Sequence, residues 1–280
     1  MGKFDGILIC SDLDDTLLTS ERTISDENKK ALEYFMSEGG KFTFCTGRVP
    51  HGAKLALRYI VPNVPMICFN GAAIYDFNND KLLWEKFLDR RAGEVIDFVL
   101  SKMPQIGVEI STNERVYHHR STRLTAEHTS IEKISETKLD YREIKNEWKK
   151  VIFMAELADM PKLRNLIEES GFADRYTFIQ SYKHYYELLP KGTGKGEAML
   201  ELAKILSIDK EKTVGVGDNE NDASLVKLAG VGVAVSNAVD EVKNVADYIT
   251  VDNDSNALAD IINAIENKKI IFSQTKATYI

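Results

Sequence analysis

The chain has 280 residues, 44% hydrophobic and 28% charged, proportions that exclude a disordered or low-complexity protein and leave room for one large domain or two moderate ones. A formal net charge of −7 excludes the basic footprint that nucleic acid or an anionic membrane would require, while a small anion could still be held at a local positive site.

Gly6 to Ser11 reads as a fully buried strand, and Asp12 interrupts the apolar run too early for a secretory segment or a membrane span. Met1-Gly2 opens like a myristoylation site, but Gly6 stands where Ser or Thr is required. Cys10, Cys45 and Cys68 lie in or at the end of apolar runs with no zinc-like spacing. They are expected to be small core residues of a cytoplasmic protein. Ser25 is expected to cap a helix carrying Ala31, Leu32, Phe35 and Met36 on one face, ended by Gly39-Gly40. Lys41 to Cys45 follows as a strand, Gly52 to Ile60 as a helix, and Met66 to Phe69 as a third strand ending at Asn70-Gly71. Strands alternating with crossover helices predict a parallel sheet.

From about Leu83 to Leu188 the rhythm changes. A helix over Arg91 to Met103 precedes alternating runs at Gly107 to Ser111 and Arg115 to Arg120, then a polar stretch. A strand (Val151 to Ala155), a helix (Pro161 to Ser170) and paired strands (Tyr176 to Ser181, Tyr185 to Leu189) complete an α+β insert. The helix–strand alternation then resumes: helix Glu197 to Leu206, strand Thr213 to Val216, helix Asp222 to Leu228, strand Val231 to Val235, helix Val239 to Val245, strand Tyr248 to Val251, and helix Ala257 to Ile265 capped by Ser255. The tail after Asn267 has no pattern. The fold expected is α/β, with a discontinuous Rossmann-like core (1–82 and 188–280) and an inserted cap (83–187).

Asp12, Thr46, Asn70 and Asp218 all follow predicted strand ends, the side of an open parallel sheet where ligands bind. Taken singly, each is an ordinary turn residue; four converging on one crevice are not. Asp12-Leu13-Asp14-Asp15-Thr16 is the sharpest signal, because two charges 4 Å apart repel by about 4 kcal/mol at an effective dielectric of 20. A divalent metal would resolve that conflict. Asp218 and Asp222, on a glycine-led turn, could complete a magnesium site of oxygen ligands. An EF-hand is excluded, since the sixth-position glycine and distal Glu are missing. Lys191-Gly192-Thr193-Gly194-Lys195-Gly196 lacks the Walker spacing and the Ser or Thr after its lysine. What it retains is a cation at a helix start, where free amides favour an anion.

Asp12-Leu13-Asp14-Asp15-Thr16, Thr46-Gly47-Arg48, Lys195 and Gly217-Asp218-x-x-Asn221-Asp222 together resemble the four ordered motifs of the haloacid dehalogenase superfamily. The insert between the second and third motifs, with Asn70-Gly71-Ala72 before it and Val233 to Ala238 near the end, resembles the Cof-type phosphatase branch. The resemblance spans nearly the whole chain and implies Mg2+-dependent hydrolysis of phosphate monoesters beneath a mobile cap. Carried over, it implies Asp12 as nucleophile and Asp14 as general acid/base. Magnesium would be held by Asp12, the Asp14 backbone carbonyl and Asp218, with Asp222 acting through water or orienting that shell. Thr46, the Gly47 amide, Lys195, Asn221 and the Leu13 amide would grip phosphate oxygens. Asp15 departs from a common Gly, Leu225 from Met, and Asn256-Ala257-Leu258 from an acidic-Gly-Val run; none of these removes a catalytic group.

The expected substrate is a small phosphorylated metabolite, most naturally a sugar phosphate, with no nucleic-acid or membrane partner and a monomer or weak homodimer as the working form. A phosphomutase or phosphotransferase, and a non-catalytic phospho-ligand sensor, are the alternatives. In the cap, Tyr117 to Arg120, Arg123 and Lys183 to Tyr186 are candidates to read the leaving group, although such residues more often alternate along exposed strands.

Overall fold

The computed structural model describes residues 2–133, 135 and 137–272; most of the patternless tail, 273–280, lies outside them. The chain begins with β1 (Leu8–Ser11), α1 (Asp26–Ser37), β2 (Lys41–Phe44), α2 (Pro50–Lys54), β3 (Met66–Cys68), β4 (Ala73–Asp76) and β5 (Lys81–Glu85). It continues with α3 (Ala92–Lys102), β6 (Gly107–Thr112), β7 (Val116–Arg120), α4 (Arg123–Glu132), β8 (Thr137–Lys138), β9 (Trp148–Met154), α5 (Met160–Glu169), β10 (Tyr176–Tyr182) and β11 (Tyr185–Pro190). Then come α6 (Lys195–Ile205), β12 (Thr213–Gly217), α7 (Ala223–Leu228), β13 (Val231–Ala234), α8 (Asp240–Lys243), β14 (Tyr248–Ile249) and α9 (Ala257–Glu266). Among the described residues no helix is long and apolar enough to cross a membrane.

β14-β13-β12-β1-β2 form an all-parallel sheet. Both of its faces are covered, which is why β1 is apolar without a break. Ile9 points into a cluster with Leu32, Phe35, Leu258 and Ile262, whereas Leu8 and Cys10 point into another with Met199, Leu202 and Leu225. Ser25 caps α1 as expected, its side chain accepting from the Asn28 amide. The final helix is different: α9 is preceded by Asn256 in a left-handed conformation, without a side-chain cap from Ser255.

β3 also departs from the expected pattern. It touches β2 through one parallel bridge, Cys45 to Ile67, but its ladder is antiparallel with β4, which pairs with β5. The helix expected over Gly52 to Ile60 is two short pieces, α2 and a 3₁₀ turn over Leu55–Arg58. All three cysteines are free and buried, as expected of core residues. Burial pushes the Cys68 thiol up to about 12, so no reactive thiolate is available there.

The six strands β10-β11-β9-β6-β7-β8 make a separate sheet, antiparallel except where β7 meets β8. Its side chains divide by the period of two. Val108 and Ile110, Val151 and Phe153, and Tyr186 and Leu188 pack with Val95 and Ile96 of α3 and with Leu163 and Ile167 of α5. The alternate positions Glu109, Ser111, Lys150 and Glu187 line a cavity beneath the opposite face.

Candidate active site

Asp12 leaves β1 with its amide donating to Val216 O at 2.9 Å, which carries the β1–β12 ladder one residue past the strand. The first carboxylate is thus fixed beside the turn that follows β12. The next residues fold back tightly, with Leu18 N donating to Leu13 O at 2.7 Å. Asp15 has φ 55° there. That is the left-handed conformation that glycine adopts most easily.

A second turn positions the cation. Asn70 and Gly71 have φ of 53° and 93°, and a Cβ on Gly71 would lie 2.1 Å from Gly194 O. Only glycine permits this approach between the β3 turn and the start of α6, where Lys195 enters. Its Nζ is 2.6 Å from Asp12 Oδ1 and 2.5 Å from Asp222 Oδ1, with the side chain fully buried. A buried cation at a helix N-terminus opposes both desolvation and the helix dipole, so the two carboxylates must compensate it. They hold the Lys195 ammonium well above the usual lysine range against the cost of burial.

Asp12, Asp218 and Asp222 each present an oxygen within 4.8 Å of the other two. Burial, then the charge on Asp222, pushes Asp12 up to about 7. Burial, then Asp222 and Asp12, pushes Asp218 up to about 9. Carboxyls that retain protons near neutral pH form a centre short of positive charge, and their hard oxygen donors suit Mg2+. Thr16 Oγ1 donates to Asp218 Oδ1 at 2.6 Å. Both Asp222 oxygens are already engaged: Oδ1 by Lys195, and Oδ2 by the amides of Asp218 and Asn219 at 3.2 and 3.1 Å. Asp222 therefore sits behind the centre with both of its oxygens engaged within the protein.

Asp12, Asp14, Thr46, Gly47, Asp218 and Asn221 line a cavity of about 310 Å³, whereas Leu13, Lys195 and Asp222 are buried behind its wall. Thr46 Oγ1 accepts from Arg48 N at 3.2 Å, leaving its own proton to donate. Asn221 Nδ2 donates to Asn70 Oδ1 at 3.0 Å. Arg48, quoted in the second motif without a role, forms a fork that its spacing does not announce: Nε and Nη2 donate to both oxygens of Asp14 at 3.0 and 2.6 Å, with Glu132 Oε1 of α4 3.8 Å from Nε.

Of the cap residues singled out from sequence, Tyr185 lines the cavity. Tyr186 belongs to the apolar layer, His118 is buried against Glu109, and His119 accepts from Tyr141 N. The roof is instead Glu109, Ser111, Lys150 and Glu187, with His128 from the unanticipated α4. Alternation along β6 contained the signal, since Glu109 and Ser111 fall two apart between apolar neighbours. His128 Nδ1 donates to Glu109 Oε2 at 2.9 Å. Burial alone would raise Glu109, but the His128 charge and hydrogen bonds from His118 and His128 outweigh it and hold Glu109 at about 2. His128 is raised in turn, Glu109 overcoming its burial.

Stability should follow from these two opposed shifts. Glu109 is depressed, so its contribution is complete above its ordinary 4.5 and lost as pH falls toward about 2. His128 is raised, so its contribution is complete below its ordinary 6.5 and lost as pH rises through its folded value. Glu109→Gln should therefore lower Tm most between pH 4.5 and 6.5, by about 2–4 °C for each kcal/mol lost, with a smaller deficit above pH 8. Thermal melts of both proteins across that range check it; a constant deficit would assign the loss to packing.

A family model described as haloacid dehalogenase-like hydrolase matches residues 9–262. The 5-amino-6-(5-phospho-D-ribitylamino)uracil phosphatase YwtE of Bacillus subtilis (strain 168) is 30% identical over 285 residues, covering 92% of this chain and 97% of that protein. A solved haloacid dehalogenase-like hydrolase from B. subtilis superimposes with a TM-score of 0.80 at 25% identity, covering 91% of this chain and 98% of that one. The fold is also that of the haloacid dehalogenase subclass IIB sugar phosphatase BT4131, with a TM-score of 0.79 at 19% identity, 95% of this chain and 100% of that one.

Proposed function

Because the chain belongs to the haloacid dehalogenase-like hydrolases and is a phosphatase of that family, we propose that it hydrolyses small phosphorylated metabolites, sugar phosphates foremost, with Mg2+ and through an aspartyl-phosphate on Asp12. One observation carries the reading: Asp12 and Asp218, at the ends of β1 and β12, meet on the floor of the cavity, with Asp222 and Lys195 buried directly behind them. The phosphorylated ribityl group in the name of the relative at 30% identity supports a hydroxyl-rich substrate. The same reading has residues 83–187 act as a cap over a core of 1–82 and 188–280, in a cytoplasmic monomer or weak homodimer.

Asp12, the Asp14 carbonyl and Asp218 would hold the metal, which supplies charge neutralisation for the phosphoryl group. Lys195 pins Asp12 Oδ1, so the other oxygen is the one left to attack phosphorus. The Thr46 hydroxyl, the Gly47 and Leu13 amides and the second N–H of Asn221 hold the phosphoryl oxygens. As the phosphorus–leaving-group bond breaks, Asp14 protonates the departing oxygen and then takes a proton from the water that splits the aspartyl-phosphate. Because Arg48 engages both Asp14 oxygens, that proton transfer requires the fork to open.

The reading is tested by screening phosphorylated metabolites for phosphate release with Mg2+ and with a chelator, using Asp12→Asn as the blank. Metal-dependent release of phosphate is the expected result, and its absence across sugar phosphates and p-nitrophenyl phosphate would overturn the reading. Asp14→Asn should slow esters with poor alkoxide leaving groups about 10²–10⁴-fold, the usual worth of general acid catalysis, and nitrophenolate esters much less. Equal losses would remove Asp14 from that role.

A further inference from the structure

Resting on the function proposed above, we infer that Glu132 of α4 is a positioning residue that takes the Arg48 guanidinium from Asp14 and so frees Asp14 to deliver its proton. Arg48 stands between two carboxylates. Its Nε and Nη2 donate to both oxygens of Asp14 at 3.0 and 2.6 Å, while the same Nε lies 3.8 Å from Glu132 Oε1.

Glu132 is an acceptor without a donor. Its side chain is 11% exposed, and Oε2 is buried with no hydrogen-bond partner among the described residues. Buried polar groups are ordinarily paired, and a buried charge left alone is costly. Burial raises the Glu132 carboxyl, and the Arg48 charge is the first influence that opposes it. Gly52 of α2 leaves the room that this oxygen occupies, since a Cβ there would lie 2.5 Å from Glu132 Oε2. The neighbouring cations are held elsewhere: Lys150 by Gly47 O at 3.0 Å and Glu187 Oε2 at 2.9 Å, and His128 Nδ1 by Glu109 at 2.9 Å.

The exchange needs little movement. Lys150 reaches the Gly47 carbonyl, one residue before Arg48, so α4 and the Arg48 turn are already tied together. From 3.8 Å, Arg48 Nε has about 1 Å to travel before it reaches the length of an ionic hydrogen bond. A carboxyl that delivers a proton must aim its O–H at the departing oxygen, which it cannot do while both of its oxygens accept from Arg48. Once it carries that proton it is also the poorer acceptor, whereas Glu132 paired with Arg48 is a carboxylate, so the charge-assisted bonds pass to Glu132. The guanidinium keeps its charge throughout. Only its hydrogen bonds move, and the proton goes from Asp14 to the leaving group.

Glu132→Gln keeps the shape and removes the charge. It is compared with wild type on two aryl phosphates of similar size: phenyl phosphate, whose phenolate leaves poorly without a proton, and p-nitrophenyl phosphate, whose nitrophenolate leaves without one. kcat/KM for phenyl phosphate should fall about tenfold, the difference between an ionic and a neutral hydrogen bond, with p-nitrophenyl phosphate changed by less than about twofold. In an Asp14→Asn background no acid remains to be freed, so adding Glu132→Gln should cause no further loss on phenyl phosphate. Equal losses on the two esters, no loss on phenyl phosphate, or the same loss with and without Asp14 would overturn the inference, the last by making Glu132 a substrate contact or a packing group. If Asp14→Asn alone slows both esters equally, the acid role in the proposed function fails and this exchange with it. If wild type hydrolyses neither ester, the proposed function itself fails first.

Discussion

Asp12→Asn is expected to lower kcat by about 10⁴-fold or more while the protein remains folded, because it removes the attacking oxygen and alters almost no volume. Its thermal stability supplies an independent check. Asp12 is raised from its ordinary 3.8 to about 7, so the folded state binds that proton more tightly than the unfolded chain. A raised carboxyl contributes stability that is present below 3.8 and lost as pH rises through 7. At pH 8 with a chelator, Asn escapes the penalty that the ionised wild type carries, so the variant should melt no lower than wild type. Added Mg2+ should raise its Tm less than that of wild type. Phosphate-release assays and paired melts provide both measurements; metal-dependent turnover within tenfold of wild type would remove Asp12 as nucleophile.

Lys195→Met should do the opposite to stability. The substitution fills much of the lysine's space but takes away the cation between Asp12 Oδ1 and Asp222 Oδ1, leaving both buried carboxyls uncompensated. Breaking such a pair costs about 3–5 kcal/mol, or about 6–20 °C in Tm for a chain of this size. Turnover should be lost as well, since nothing then pins Asp12 or supports the phosphoryl charge from that side. The stability loss should shrink as pH falls, because protons on Asp12 and Asp218, raised to about 7 and 9, relieve the repulsion that the lysine offset. Melts at pH 5 and pH 8 measure this; a deficit of the same size at both would mean that Lys195 acts by filling space.

Legibility in the sequence followed burial. Strands of the parallel sheet are covered on both faces, so β1, β12 and β13 are largely apolar runs, and the polar residues at their ends stand out. Asp12, Thr46 and Asp218 were visible for that reason, with Asn70 at the end of β3, and Lys195 because glycines surround it. The cap obeys another rule. Its sheet buries apolar side chains on one face and polar ones on the other, and a buried Lys150 or Glu187 reads the same in sequence as an exposed one. α4 carries too few apolar residues to show a stripe: Leu124 packs on Ile152 and Met154, and much of the rest is polar. His128 was hidden with it. The three-stranded sheet was missed because β5 alternates between half-buried and exposed positions.

Along β6, β9 and β11, neighbouring residues meet different surroundings. Val108, Ile110, Val151, Phe153, Tyr186 and Leu188 hold the layer above together, while Glu109, Ser111, Lys150 and Glu187 face the cavity below. A substitution at one of these four changes the cavity and leaves the contacts of the apolar layer in place. Descendants of one ancestral phosphatase would then diverge in diet by exchanging a few alternate letters, with the chemistry on the floor left untouched.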